Sequence, residues 1–368
     1  MSKKSILWSV IPIIVLSLLF IITCAVNPVT GKKEFMLLSE GNELALGQQT
    51  DQQIVQMYGL YDDPELNSYI NKIGQEMSDL THRPNLTYQF KVLDTPVINA
   101  FAVPGGYIYF TRGILAYLNN EAEFAGVLGH ELGHVNARHS AQQYSRAQLA
   151  QLGLGIGMVL SEDFRKFAGL ASFGVQMLFL RFSRDNERQA DDLGVEYSSR
   201  SGYDANEMAD FFNTLERLNP GTHQSGLPEW FSTHPNPVDR IDAVRRKTAE
   251  WQQNLEGQTF AVNQNSYLDQ VDQIIYGDDP QQGYVDGKAF YHPALRFYFP
   301  IPAGWQVQNT PQQVQVVSQS QDAAMILTLE PGTSPAQAAQ NFLTQSSAVA
   351  ELSGSIRVNG LAAHRTLS

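Results

Sequence analysis

Apolar positions recur at helical spacing over residues 40–57 and again over 64–77, where Leu66, Tyr69, Ile70, Ile73 and Met77 share one face. Residues 86–93 alternate apolar and polar with period two, as do 107–110 after the Pro104-Gly105-Gly106 break, and both read as strands. A long, largely apolar helix is predicted over 121–149. Residues 187–199 and 206–218 read as two further helices split by Gly202-Tyr203, and 238–255 as another with Pro237 near its start. Between these, 153–182 is apolar and glycine-rich but carries four charges within 161–166. The pieces on either side are too short to span a bilayer. They read either as a pair of core-packing helices or as a lid-like hairpin that can touch lipid.

The pattern changes after residue 255. Residues 256–283 are rich in Gln, Asn and Asp and read as a linker with one short helix. From Phe290 strand-like spacing takes over (Leu295, Phe297, Phe299; 314–317; 325–329), followed by a helix over 335–343 and a strand candidate at 356–358. The chain stops within another strand candidate, 364–368, which leaves open whether this domain is complete. The expected architecture is a mostly α domain with a small β-sheet over 24–255, the linker 256–283, and a small α+β domain over 284–368. No internal repeat at solenoid periods is present.

Composition adds a compartment. Lys3 and Lys4 precede an apolar run over 6–22 that stops at Thr23-Cys24, the layout of an export signal spanning 1–23. Cys24 is the single cysteine and stands where a lipoprotein signal is cut and lipidated, with Ile21-Ile22-Thr23 resembling a lipobox. The other reading is an uncleaved signal anchor with an unmodified Cys24. Ala25, in place of Asp, matches the sorting pattern of outer-membrane lipoproteins in a Gram-negative cell. Removing residues 1–23 takes two lysines and no acids, so a net charge of −12 becomes −14. An acidic body argues against nucleic acid as a partner and gives no attraction to an anionic membrane, leaving the lipid at Cys24 as the anchor.

The chemistry lies in His130-Glu131-Leu132-Gly133-His134. Two histidines four apart on a helix differ by about 40° in azimuth, so both imidazoles can meet one metal, and Glu131 can reach a water beside it. Neutral imidazoles suit Zn²⁺, one per chain, and three protein ligands leave a position for water. The third ligand must come from elsewhere, since His139 follows His134 by five residues and not the six of the metzincins. Glu187, in Glu187-Arg188-Gln189-Ala190-Asp191, is the candidate, with Asp191 one turn further along to orient a ligand histidine. On its own this segment would read as a solvated helix start. His139 falls near the motif face and reads equally as a support for it or as a packed or solvated histidine.

With Glu187-x-x-x-Asp191, the His130–His134 motif resembles the gluzincin-type zinc metallopeptidases that include HtpX and the CAAX prenyl endopeptidases. The nearest likeness is to the periplasmic lipoprotein members, the LoiP and BepA group. The resemblance runs over roughly residues 25–255, from Asn27-Pro28-Val29-Thr30-Gly31 to about Arg240. It implies a zincin-like fold and a zinc-dependent endopeptidase for unfolded or misassembled envelope proteins, in contact with envelope assembly machinery. It implies that the strand before the motif helix, with Asn99, Ala100, Phe101 and Ala102, presents an edge to an extended peptide. It also implies roles for His234, in Ser232-Thr233-His234-Pro235, and for Arg240: either both steady the oxyanion, or His234 fills the open metal position and keeps the enzyme latent. A zinc-stabilised chaperone or assembly factor with latent proteolysis is the rival reading. The part beyond 283 lies outside the resemblance and looks somewhat like the PsbP-type α+β fold.

Overall fold

The computed structural model describes residues 24–151, 181–218, 230, 233–234, 239–255, 257–320, 322–329, 334–346 and 349–367. The proposed signal, 1–23, and nearly all of the apolar stretch 153–182 lie outside the described residues. The chain divides after Asp279 into two compact units.

The first unit opens with an antiparallel pair, β1 (Cys24–Val26) and β2 (Lys33–Phe35). Their loop is organised by the fully buried Asn27, whose Oδ1 accepts from the Val29 and Thr30 N–H groups at 2.9 and 3.2 Å. Its Nδ2 donates to the Ala137 carbonyl at 3.3 Å. Helix α1 (Glu40–Tyr58) starts on a Ser39 cap, and α2 (Pro64–Ser78) on Asp63, with Pro64 at the first position where no N–H is needed. Three strands follow: β3 (Gln89–Leu93), β4 (Ala100–Val103) and β5 (Tyr107–Thr111). Their order is β3-β5-β4, parallel for β3 and antiparallel for β4, which makes β4 an edge. Thr111 N–H donates to Asn99 O at 3.0 Å. By the alternation of an antiparallel ladder, Phe101 and Val103 then bond to β5, and the main-chain groups of Ala100 and Ala102 face outward.

The helix expected over 121–149 is two helices, α3 (Glu121–Asn136) and α4 (His139–Gln151). The chain turns at Arg138, a non-glycine residue with φ of 58°. Its guanidinium is buried and bonds Glu43 Oε2 at 2.8 Å and Leu38 O at 2.9 Å. The Ala137 carbonyl is taken by Asn27 and by Gln142 Nε2 at 3.1 Å. Distant partners therefore break a helix whose local pattern runs on. Helices α5 (Arg184–Arg200), α6 (Asn206–Arg217) and α7 (Arg240–Asn254) occupy the expected segments, and α8 (Gln264–Val271) is the short helix expected within 256–283. Tyr267 of α8 is fully buried and donates to Leu115 O at 2.8 Å.

Every residue of α3 is buried, and α5 lies directly against it. A Cβ at Gly129 would stand 2.8 Å from Gly194 O, and one at Gly194 would stand 3.0 Å from His130 N. Only glycine at these two positions lets the helix backbones touch. That contact brings the first turn of α5 to the motif.

The second unit carries two three-stranded antiparallel sheets. One joins β6 (Tyr284–Asp286), β7 (Ala289–His292) and β8 (Phe297–Pro300); the other joins β9 (Gln306–Asn309), β10 (Gln313–Val317) and β11 (Ala324–Thr328). A helix, α9 (Pro335–Ser346), and a hairpin of β12 (Leu352–Val358) and β13 (Leu361–Leu367) complete it. Phe290, Val314 and Val316 form its core. This is the small α+β domain expected from the pattern. Strands β6 and β9 have no counterpart in the sequence pattern: β6 is three residues long, and β9 is Gln-Val-Gln-Asn, with a single apolar residue.

Candidate metal centre

Asn120 caps α3, its Oδ1 accepting from Glu123 N–H at 2.8 Å, and the helix then runs through the motif without leaving the core. His130 and His134 stand one turn apart with Nε2 atoms 3.0 Å from each other. Ser183 caps α5, which sets Glu187 in its first turn. Glu187 Oε1 lies 3.5 Å from His134 Nε2, and Oε2 lies 3.7 Å from His130 Nε2. His234 enters from a separate segment, its Nδ1 3.2 Å from His130 Nε2 and 3.1 Å from Glu187 Oε1. Ligand atoms of all four residues fall within 4.8 Å of one another, and all four are buried.

The donor set fits a divalent transition metal. Three imidazole nitrogens and a carboxylate oxygen converge at the distances of an N₃O tetrahedron's edges, in a cluster that burial keeps dry. Burial drives His130 well below its ordinary pKa and His134 down to about 3, so both are neutral donors. Glu187 Oε2, both oxygens of Glu131 and His234 Nε2 complete no hydrogen bond within the protein. Buried polar atoms are seldom left so, and here they surround one point.

Charge is distributed unevenly around that point. Burial would raise Glu187, but His234, His134 and Arg240 together hold it well below the ordinary carboxylate range. Burial alone would lower His234, and the adjacent Glu187 carboxylate raises it instead. Glu131 is pushed up to about 7 by burial, against the opposing pull of His234. Its carboxylate is 3.7 Å from His234 Nε2, and the outward-facing N–H of Ala102 on β4 also lowers it.

Behind these four side chains lies a further set of buried polar residues. His130 Nδ1 lies 2.8 Å from Asp191 Oδ1. Arg240 grips Asp191 with two bonds of 2.7 Å, sits 3.4 Å from Glu187 Oε2 and stacks on the Phe212 ring. Burial pushes Asp191 up to about 6, with Arg240 opposing. His139, fully buried, meets His134 on its other side. Two aromatic rings cover the cluster: Phe182, centred 4.0 Å from the His134 ring, and Trp230, stacked 4.3 Å from His234. The backbone N–H of Trp230 donates to Ile98 O at 3.3 Å, just before the β4 edge.

The fold thus gathers His130, Glu131, His134, Glu187, Asp191, His234 and Arg240, with Ala100 and Ala102 on the Glu131 side. Asn99 is buried, and its N–H donates to Thr111 Oγ1 at 3.2 Å. Cys24 stands apart, paired with Phe35 across β1 and β2. Trp230, Phe182 and the partner of His139 were not anticipated. Trp230 lies four residues before His234, the one signal that could have drawn notice to it.

Residues 64–248 match peptidase family M48. At 30% identity over 229 residues the chain is similar to the beta-barrel assembly-enhancing protease of Escherichia coli (strain K12), the match covering 60% of this chain and 46% of that protein. It is similar, at 30% over 231 residues, to the mitochondrial metalloendopeptidase OMA1 of Schizosaccharomyces pombe, covering 61% of this chain and 65% of that one. The chain spans about half the length of the first of these relatives. The family match takes in half of the chain and every residue of the buried cluster, and the chain belongs to peptidase family M48.

Proposed function

We propose that the chain is a zinc-dependent endopeptidase that cleaves unfolded or misassembled proteins of the cell envelope. One observation carries this reading: His130, His134 and Glu187 converge on a single buried point with Glu131 beside it. Zinc would be held by His130, His134 and Glu187 and would supply a Lewis acid that brings the pKa of a water toward neutrality. Glu131 takes the proton from the attacking water and delivers it to the leaving amine; a carboxyl pushed up to about 7 by burial suits both transfers. An extended peptide pairs with the outward main chain of Ala100 and Ala102, while Asn99 and Phe101 fix the strand, so clients are accepted with little regard to sequence. Arg240 spends its guanidinium on Asp191 and Glu187, which favours holding the ligands over meeting the oxyanion.

His234 closes the site at rest. Its contacts with His130 and Glu187, and its stacking on Trp230, support a latent state in which the fourth position is taken by the protein. The same contacts favour the second reading, an assembly factor with proteolysis held off. Both fit a chain lipidated at Cys24 on the periplasmic face of an outer membrane, and the bacterial relative's name joins proteolysis to beta-barrel assembly.

Casein cleavage by the wild type, Glu131→Gln and His234→Ala tests the proposal. We expect Glu131→Gln to lose essentially all activity and His234→Ala to exceed the wild type. Equal cleavage by wild type and Glu131→Gln would sink the mechanism. A fall in His234→Ala would make His234 an oxyanion group and remove the latch. Absence of cleavage in every variant, with Glu131→Gln fully functional in cells, would favour the assembly factor.

A further inference from the structure

The two ligand histidines need the same tautomer: a proton on Nδ1, leaving Nε2 free for metal. For His130 the nearer partner decides: Asp191 Oδ1, at 2.8 Å, accepts and draws the proton to Nδ1, while Arg240 Nη2, a donor 3.3 Å away, is committed to Asp191 at 2.7 Å. His134 has no carboxylate on that side. Its Nδ1 faces another imidazole, His139 Nδ1, at 3.0 Å. A neutral imidazole carries one N–H and one lone pair, so this contact is a hydrogen bond only when the two rings hold opposite roles. The partner on the far side of His139 decides which: Gln189 Oε1, 3.0 Å from His139 Nε2, accepts only.

We infer that Gln189 and His139 form a relay that sets the tautomer of His134. Gln189 draws the His139 proton to Nε2, His139 Nδ1 is then a bare acceptor, and it draws the His134 proton to Nδ1. His134 Nε2 is left as a lone pair aimed at the cluster. Two features of the chain build the relay. On an unbroken helix His139 would stand about 140° around the axis from His134, so the turn at Arg138 is what brings the two rings together. Gln189 comes from α5, two residues after Glu187, so one helix supplies a ligand, the support of the first histidine (Asp191) and the terminus of the relay for the second. His139 and Gln189 are positioning residues that touch neither substrate nor metal.

The inference rests on the metallopeptidase reading only where metal is concerned, and its test separates the two. Zinc affinity of the full chain, by competition with a chromophoric chelator, is compared for wild type, Gln189→Leu and Gln189→Glu. Gln189→Leu keeps the bulk and removes the acceptor; Gln189→Glu restores it. We expect affinity to fall 10- to 100-fold in Gln189→Leu, the loss typical of an outer-layer partner, and to stay within about threefold of wild type in Gln189→Glu. Long-range ¹H–¹⁵N spectra of the metal-free protein read the tautomers directly: Nε2–H on His139 and Nδ1–H on His134 in the wild type, mixed in Gln189→Leu. Unchanged zinc affinity in Gln189→Leu, equal losses in the two variants, or an Nδ1–H tautomer on His139 would each overturn the relay. A wild type with the expected tautomers and no zinc affinity would overturn the metallopeptidase reading and leave the relay standing.

Discussion

Glu123 shows how far burial can carry a carboxyl in this chain away from the histidine cluster. It sits in the first turn of α3, where the helix dipole favours a charge, and it accepts from Asn119 N–H at 2.7 Å and Asn119 Nδ2 at 2.9 Å. Burial nevertheless pushes it up to about 7 from an ordinary 4.5. A folded pKa above the unfolded one means the neutral form is favoured by folding. The contribution is complete below about pH 4.5 and is lost as pH rises through 7. Glu123→Gln should therefore flatten the decline of Tm between about pH 4.5 and 7, and an unchanged slope would show that Glu123 does not titrate there. Such a site leaves no trace in a sequence, because Glu123 reads like any acidic first-turn residue. Spacing made His130, Glu131 and His134 legible; His139 was ambiguous because its distance from His134 has meaning only once the turn at Arg138 is known.

Helices were legible to within a few residues wherever one apolar face met the core. The one large error, a continuous helix over 121–149, arose because its stop signal is not local: Asn27, Leu38 and Glu43 end the helix from about a hundred residues away. Glu43 also bonds Arg83 at 3.1 Å, so a single buried carboxylate faces two guanidinium groups. Glu43→Ala strands the charge of Arg138, and we expect a loss of about 3–5 kcal/mol by urea unfolding. A loss under about 1 kcal/mol would mean that α4 holds its turn without this pair. The α3–α5 contact makes a second demand. Gly129→Ala puts a methyl group against the backbone of Gly194, and a cost of about 1–3 kcal/mol should accompany a weaker zinc affinity. Loss of stability with intact affinity would show that Glu187 can follow a shifted helix.

At the scale of the molecule, composition marked 256–283 as a change of character, and the packing explains what that stretch does. Arg112, almost fully buried, bonds Asp94 and donates to the carbonyls of Ile275 and Gly277, while Tyr267 fills the core beside Leu115. A chain ending at Asp279 should keep its helical signal and its buried metal-binding cluster. One ending at Leu255 should be markedly less stable, because it leaves Arg112 short of two partners. Equal melting curves for the two would refute that dependence. The second unit was legible as alternating strands and less so in its short polar ones, where period two cannot be told from a turn.

Asn27 fixes more than a loop. It pins the chain to the end of α3 only three residues beyond Cys24, so acyl chains on Cys24 would sit on a tether of about 10 Å. A leash that short would make nearness to the bilayer the first criterion for cleavage, ahead of any side-chain preference. Inserting about 20 Gly/Ser residues after Cys24 adds roughly 25 Å of mean reach. With Cys24 lipidated, the longer leash should extend cleavage to clients that the shorter one would hold out of range.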